Sequence, residues 1–415
     1  MNNSITLHQR QYAIPTQPVV VVCIDGCDPE YITQGIADGV CPTIAHFHTH
    51  GFASTADCVM PSFTNPNNVS IVTGAAPEVH GIAGNYSLDR ETGKEIMMTD
   101  ASLLRGETLL ALLSEAGVAV AAVTAKDKLR KVLGHNLKGI CFSSEKAGTC
   151  TLEGHGIDDV LALVGRPLPD MYSGDLSLFV LDAGLALLKQ KRAQVLYLSL
   201  SDYIQHKFAP GTKESNEFLK AIDDRLQAFI DEGAIVGCIA DHGMSDKNNT
   251  AGTPNVIFLQ DKLEERFGAA SARVICPITD PFVRHHGALG SFVRVYAKDP
   301  ANIEPMIDYI SGLSGIEDTL NRHQAAVKLG LPEDREADIV VISSESCVLG
   351  SCTSEHDLST VGDRPLRSHG GYSEQSVPFM LSHPINEHYR QFAASIRLRN
   401  FDIFDFALNG VQHID

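Results

Sequence analysis

The sequence predicts an open, doubly wound α/β sheet, mostly parallel, with helices on both faces and a smaller α+β insertion. Three observations lead there. Short apolar runs such as Val19 to Ile24 read as strands buried on both faces. These runs alternate with stretches of helical periodicity, the pattern of a parallel sheet built by crossover helices. The texture then changes after Asn248 and returns near Arg364, so the expected domains are a core of residues 1–248 and 364–415 and a cap insertion of 249–363.

Taken in order, Val19 to Ile24 is the first central strand. Pro42 to His50 and Asn65 to Thr73 read as helices, as does Glu107 to Ala116. Val118 to Ala125 is a strand leading into a short helix at Asp127 to Leu133. Leu176 to Lys191 is a helix followed by the strand Val195 to Leu200. Asn216 to Ile230 is a helix that ends before Gly233 and leads into the strand Ala234 to Ala240. In the insertion, strands are expected at Asn255 to Leu259, Arg273 to Ile278, Ser291 to Ala297 and Asp338 to Ser343. Helices are expected at Asn302 to Leu313 and Asp318 to Leu329. The return to the core brings a strand at Pro378 to Ser382 and helices from Asn386 and Phe401.

The 415 residues are 44% hydrophobic, enough for a full core. Formal charge is −18, from 33 basic and 51 acidic residues. That excludes a broad nucleic-acid surface, but not a small anionic substrate held by cations. No apolar stretch reaches the roughly 20 residues of a membrane span. Met1 to Pro18 is polar and lacks the pattern of a signal peptide. The ten cysteines form no CxxC pair, and Cys23 and Cys238 fall inside strands, which reads as reduced, buried thiols in a cytoplasmic protein.

Chemistry concentrates where strands end. VVVVCID ends at Asp25, LYLSLSD at Asp202, and VGCIADHG at Asp241 followed by His242. One such aspartate is an ordinary helix N-cap. Three on one edge of a parallel sheet crowd the crevice where ligands bind and repel one another unless a cation neutralises them. His206 lies four residues after Asp202, and His369 sits in the glycine-rich RSHGGY. Carboxylate mixed with imidazole favours Zn²⁺, with Mn²⁺ or Fe²⁺ as alternatives, and using all the ligands takes two ions.

Thr64 in PSFTNPNNVSIVTG stands at a helix start, where free N–H groups and the dipole suit a phosphoryl oxygen. An alkoxide there also suits a metal. Asn85 in HGIAGNYS offers an amide donor. Lys126 and Lys128 in TAKDKLRK sit at the carboxyl end of a strand on the same edge. They read either as a solvated pair or as the binding site for a substrate carboxylate. His46, His48 and His50 recur every second residue through a helix, cannot all share a face, and read as solvated. His285 and His286 stay open between that reading and a functional one, because Arg284 beside them could face an anion.

The segments CIDGCDPEY, CPTIAHF, PSFTNPNNVSIVTG, HGIAGN, SLSDYIQHKFAPG, ADHGM and SHGGY together resemble the alkaline phosphatase superfamily. The resemblance is to the branch of nucleotide pyrophosphatases and phosphodiesterases that also holds carbon–phosphorus hydrolases, and it spans residues 23 to 372. It implies two zinc ions per chain, one on Asp202, His206 and His369, the other on Asp25, Asp241, His242 and the Thr64 oxygen. Thr64 would be the nucleophile, and Thr64, Asn85, Lys126, Lys128 and His206 the substrate contacts. Sulfatases differ, since PSFTN has no C/S-x-P-x-R signature. Cofactor-independent phosphoglycerate mutases differ in using serine at this place and in inserting their extra domain soon after it.

The activity implied is hydrolysis of the C–P bond of phosphonoacetate to acetate and phosphate. A nucleotide pyrophosphatase or phosphodiesterase on the same metals is the second expectation, with Phe63 and Tyr203 as walls for a base. A metal-dependent anion-binding module is the non-enzymatic one. The expected partner is a small phosphonate, with neither nucleic acid nor membrane, and a homodimer is compatible with the sequence.

Overall fold

The computed structural model describes residues 3–90, 92–279, 287–361 and 364–412. Arg284, His285 and His286, where Arg284 reads as able to face an anion, lie outside the described residues. Val19–Cys23 forms the centre of a seven-stranded sheet, with all five side chains buried. Across the sheet the order is Phe52–Asp57, Ser376–Leu381, Ile235–Ile239, Val19–Cys23, Val195–Ser199, Val120–Thr124 and Ile140–Ser143. The last five run parallel. The first two join one edge through antiparallel pairings, Ser376–Leu381 running against the other six strands. This is the mostly parallel, doubly wound sheet that the strand and helix alternation predicts.

Helices cover it in two groups. Pro29–Ala37, Pro42–His50, Asp175–Lys189 and Lys213–Asp231 pack against one another, and Thr64–Thr73, Leu109–Glu115, Asp127–Leu133 and Ile403–Asp405 form the second group. Pro42–His50 starts with proline at its first turn, where the missing N–H costs nothing. Thr212 caps Lys213–Asp231 by accepting from the Ser215 amide. The helix Thr64–Thr73 is buried at nearly every position and shows no amphipathic stripe, which identifies it as a core element.

The register places the functional edge. Cys23 pairs with Ile239 on one side and Ser199 on the other. The residues just beyond these three positions, Asp25, Asp241 and Asp202, therefore leave adjacent strands at one level, with strands about 4.8 Å apart.

A second sheet, all antiparallel, has the order Ala272–Ile275, Phe292–Ala297, Ile339–Ser343 and Ile316–Asn321. It buries a separate apolar core that includes Val274, Phe292, Val293 and Ile339. Met60 and Phe63, from just before Thr64, are part of that core. The helix expected over Asp318 to Leu329 is corrected here. Ile316–Asn321 is a strand and only Arg322–Leu329 is helical. Asn321 and Gln324 form a reciprocal capping box that fixes the switch.

Other elements were not read from the sequence. Ser4–Leu7 and Arg10–Ala13 form a hairpin whose turn residues His8 and Gln9 take positive φ without glycine, so the usual turn signal is missing. Phe52–Asp57 is an edge strand with a mixed burial pattern. His46 and His50 do share a face, with rings stacked 4.3 Å apart, although all three histidines of that helix are exposed. All ten cysteines are free thiols, and Cys23 and Cys238 are buried as expected.

Gly51 connects the helix Pro42–His50 to the edge strand. A Cβ there would lie 2.1 Å from the Leu381 carbonyl oxygen, so only glycine allows the approach. Gly51→Ala should cost about 1–3 kcal/mol by overpacking. Urea unfolding followed by circular dichroism is the check, and an unchanged midpoint would contradict this packing.

Candidate active site

Each of the three adjacent strands hands an aspartate to the edge, and Gly26 lets them crowd. Its φ is +68°, and a Cβ would sit 3.1 Å from Asp202 Cβ and 3.2 Å from Gln205 Cβ. Its amide donates to Asp241 Oδ1, as does the amide of His242. Asn68 Nδ2 donates to Asp241 Oδ2 at 3.1 Å and to the Thr64 carbonyl at 2.9 Å. Tyr197 Oη in turn donates to Asn68 Oδ1. One amide thus couples the helix of Thr64 to an aspartate on the sheet.

Asp202 and His206 occupy a single turn, closed by the His206 amide donating to the Asp202 carbonyl. His206 Nε2 lies 2.8 Å from Asp202 Oδ2 and His369 Nε2 lies 3.8 Å from it. His369 arrives through the two-residue strand Arg367–Ser368, paired antiparallel with Ser245–Asp246 just beyond Asp241 and His242. The His242 and His369 rings stack at 3.6 Å. Thr64 Oγ1 is 3.3 Å from His242 Nε2.

Two sets of three ligand atoms fall within 4.8 Å of one another: Asp202, His206 and His369, and Asp25, Asp202 and His242. Asp241 stands slightly farther back, its Oδ2 3.9 Å from His242 Nε2.

The donor chemistry fits divalent metal. Each imidazole has its Nδ1 against a backbone carbonyl at 2.8 Å: His206 on Arg367, His242 on Gly243 and His369 on Ser62. A carbonyl only accepts, so Nδ1 carries the proton and Nε2 presents its lone pair to the cluster. Asp25 Oδ1 is buried 3.3 Å from His242 Nε2, the same ring nitrogen that faces Thr64.

Without a cation the carboxylates are strained electrostatically. Burial pushes Asp25 well above the usual carboxylate range, and Asp202 and Asp241 add to the shift. Burial also raises Asp241, against the opposing pull of His242. Burial alone would lower His242, but Asp241, Asp25 and Asp202 outweigh it and raise the imidazole to about 10. Burial, followed by His242 and His206, holds His369 well below its ordinary value.

A cavity of about 320 Å³ opens beside the cluster. Asp25, Thr64, Asn85, Asp202 and His369 line it, and so do Lys126 and Lys128. His206, Asp241 and His242 do not. Lys126 stands immediately before the helix Asp127–Leu133 and makes no side-chain cap; its Nζ lies 3.3 Å from the Met171 carbonyl. Lys128 Nζ lies 3.4 Å from Met97 Sδ. Asn85 is buried, with Nδ2 3.5 Å from the Ile278 carbonyl and no donor on Oδ1. Phe63 is fully buried in the second core, and Tyr203 is held by the Lys207 ammonium. Neither lines the cavity, and among the described residues no Phe or Tyr does.

The sequence reading did not identify Asn68, Ser62 or Arg367 as supports. Asn68 was detectable, because it follows Thr64 by four residues and so shares its helix face. Gly243 acts through its backbone carbonyl, which leaves no mark on residue type, and Ser62 and Arg367 add side-chain bonds to the Gly370 amide, the Gly371 carbonyl and the Gln205 carbonyl beside the histidines.

The family profile for type I phosphodiesterase / nucleotide pyrophosphatase matches residues 19–371. This chain belongs to that family. The crystal structure of phosphonoacetate hydrolase from Sinorhizobium meliloti 1021 in complex with phosphonoacetate is 44% identical, with a TM-score of 0.93 over 98% of this chain and 99% of that one. The same enzyme in complex with phosphonoformate matches at 45% identity and the same TM-score. Among curated relatives, phosphonoacetate hydrolase from Penicillium oxalicum is 75% identical over 28 residues, which is 7% of this chain and 39% of that relative's length.

The electrostatics of the cluster make a testable prediction for chelated protein. Raised folded-state values mean that folded His242 and Asp25 keep protons that the unfolded chain has released, so stability falls as pH rises. His369 acts in the opposite sense, but only until the unfolded imidazole has titrated near 6.5. The melting temperature of metal-free protein should therefore fall between about pH 7 and pH 9. Differential scanning fluorimetry measures it, and a rise over that window would contradict the charge arrangement.

Proposed function

We propose that this chain hydrolyses the carbon–phosphorus bond of phosphonoacetate, giving acetate and phosphate. The observation that carries the reading is the cavity lined together by Thr64, by Asp25, Asp202 and His369 of the cluster, and by Lys126 and Lys128. A substrate with phosphonate at one end and carboxylate at the other matches a site with a cation-binding cluster and a lysine pair. The S. meliloti enzyme, crystallised with phosphonoacetate, supports the choice.

Asp202, His206 and His369 would hold one zinc ion, and Asp25, Asp241, His242 and Thr64 the second. Zinc at these positions supplies charge neutralisation for phosphoryl oxygens and lowers the pKa of a hydroxyl beside it. Thr64 Oγ1 gives up its proton to solvent and attacks phosphorus in line, and the amides of Thr64 and Asn65 at the start of its helix are available to the phosphoryl oxygens. The P–O bond forms as the C–P bond breaks, and the electron pair leaves on the methylene carbon as the enolate of acetate. Negative charge grows on the carboxylate oxygens, where Lys126 and Lys128 stabilise it. Asn85 donates to a phosphoryl oxygen. The carbanion takes a proton from water, and a second water hydrolyses the phosphothreonine and regenerates Thr64.

Residues 249–363 act as a cap in this reading. They carry a separate apolar core and contribute Ile278 to the cavity. Ten free thiols fit a reducing, cytoplasmic setting. Among the described residues no helix is long and apolar enough to cross a membrane. Nucleotide hydrolysis remains the second reading because of the family, but the described cavity wall gives a base no Phe or Tyr to stack on.

Purified protein should contain close to two divalent ions per chain by elemental analysis, and chelation should abolish turnover. Thr64→Ala should end turnover of phosphonoacetate and of an aryl phosphate alike, with the circular dichroism spectrum unchanged. Persisting activity in that variant would replace the covalent route with direct attack by water.

Lys126→Ala and Lys128→Ala should each cost about 2–4 kcal/mol on phosphonoacetate, roughly 30- to 1000-fold in kcat/KM. An aryl phosphate, which lacks the carboxylate, should lose far less. Equal losses on both substrates would move the lysines to the phosphoryl group or to the fold.

A further inference from the structure

Asn85 begins a two-stranded ribbon, Tyr86–Leu88 paired with Glu95–Met97. Its backbone is fixed on both sides. The Asn85 amide donates to the Pro277 carbonyl and its carbonyl accepts from Met98, each at 2.8 Å. One residue earlier, Gly84 fits closely against the second sheet. A Cβ there would lie 2.8 Å from Pro277 Cβ and 3.2 Å from Arg294 Nη1.

Arg294, on the strand Phe292–Ala297, is buried and makes a two-pronged pair with buried Glu336. Nε donates to Oε1 at 2.6 Å and Nη2 to Oε2 at 2.8 Å. Nη2 also donates to the Ala83 carbonyl at 3.2 Å, two residues before Asn85. The Ala337 amide holds Glu336 Oε1 in turn. Replacing such a desolvated pair by apolar groups is often neutral for stability. What the rigid guanidinium fork adds is a fixed orientation for the loop it binds.

We propose that Arg294 and Glu336 are positioning residues for the phosphoryl contact of Asn85. They act from the second sheet through the Ala83 carbonyl and the Gly84 slot. The inference rests on the reading of Asn85 as a donor to the phosphoryl group. It makes the second sheet part of the catalytic apparatus, although neither residue lines the cavity.

The test is a double-mutant cycle on metal-loaded enzyme with phosphonoacetate and an aryl phosphate. Arg294→Met with Glu336→Gln removes both charges, leaves no orphan ion, and keeps an acceptor for the Ala337 amide. This variant should lose about 10- to 100-fold in kcat/KM on both substrates, mostly in kcat, as expected for a donor displaced by about an ångström. Metal content should be unchanged. In an Asn85→Ala background the same pair of substitutions should cost less than about threefold, because the group being positioned is already gone. Arg294→Lys keeps the charge but loses the fork, should fall in between, and carries the same cycle if the double variant does not fold.

Wild-type kinetics in the Arg294→Met, Glu336→Gln enzyme would overturn the proposal. So would losses that multiply in full with Asn85→Ala. A harmless Asn85→Ala would also overturn it while leaving phosphonoacetate hydrolysis intact. Absence of phosphonoacetate turnover in the wild type would instead remove the substrate reading, with the aryl phosphate arm still deciding the positioning question.

Discussion

Like-charge crowding at the edge of the parallel sheet is the constraint on which the rest depends. Val19–Cys23, Val195–Ser199 and Ile235–Ile239 are neighbours in register, so Asp25, Asp202 and Asp241 emerge side by side. Two buried carboxylates, Asp25 and Asp241, beside the half-buried Asp202 are unfavourable in water-poor surroundings. Burial accordingly raises Asp25 and Asp241, and His242 is driven to about 10 by its acidic neighbours. Divalent cations bound among these candidate ligands would relieve all of these at once, turning an arrangement that is unfavourable by itself into a favourable one.

The surrounding structure keeps that cluster usable. Three backbone carbonyls fix three imidazoles with Nε2 turned inward. Asn68 bridges Asp241 and the backbone of Thr64, so the helix that begins at Thr64 is tied to the sheet. A buried ion pair supports the loops that follow. Lys247 donates to Glu374, whose other oxygen accepts from the Gly371 amide, two residues after His369. Glu374 also offers its carbonyl to the Gly243 amide, next to His242. Groups far apart in sequence are thereby tied to both histidine loops, which limits the ways in which the cluster can relax.

The second sheet meets the site at two places. Phe63 precedes Thr64 and is buried in the second core, with its ring edge-on to Phe292 at 6.3 Å and 5.6 Å from His369. Asn85 is attached through the Gly84 slot and the Arg294 fork. The proposed nucleophile and the proposed phosphoryl donor therefore both depend on packing against the insertion. The second sheet takes part in holding both residues in place.

The fold was legible in the sequence wherever burial is complete. Continuous apolar runs such as Val19–Cys23 and Val195–Ser199 can only be central strands, and the helices Pro42–His50 and Asp127–Leu133 match the residues expected. Legibility was lost where local signals conflict with tertiary pairing. Ile316–Asn321 reads as helix by itself and becomes a strand because it pairs with Ile339–Ser343. The His8–Gln9 turn lacks its usual glycine. For the site, Asp25, Asp202, Asp241 and Thr64 could be read because residue type and position at the end of a strand or start of a helix carry chemistry within a few residues. The carbonyls of Ser62, Arg367 and Gly243, the Asn68 bridge and the Arg294–Glu336 fork became visible only in three dimensions. Their effect lies in distance and direction between segments up to 307 residues apart, as from Ser62 to His369, and no local pattern encodes that separation.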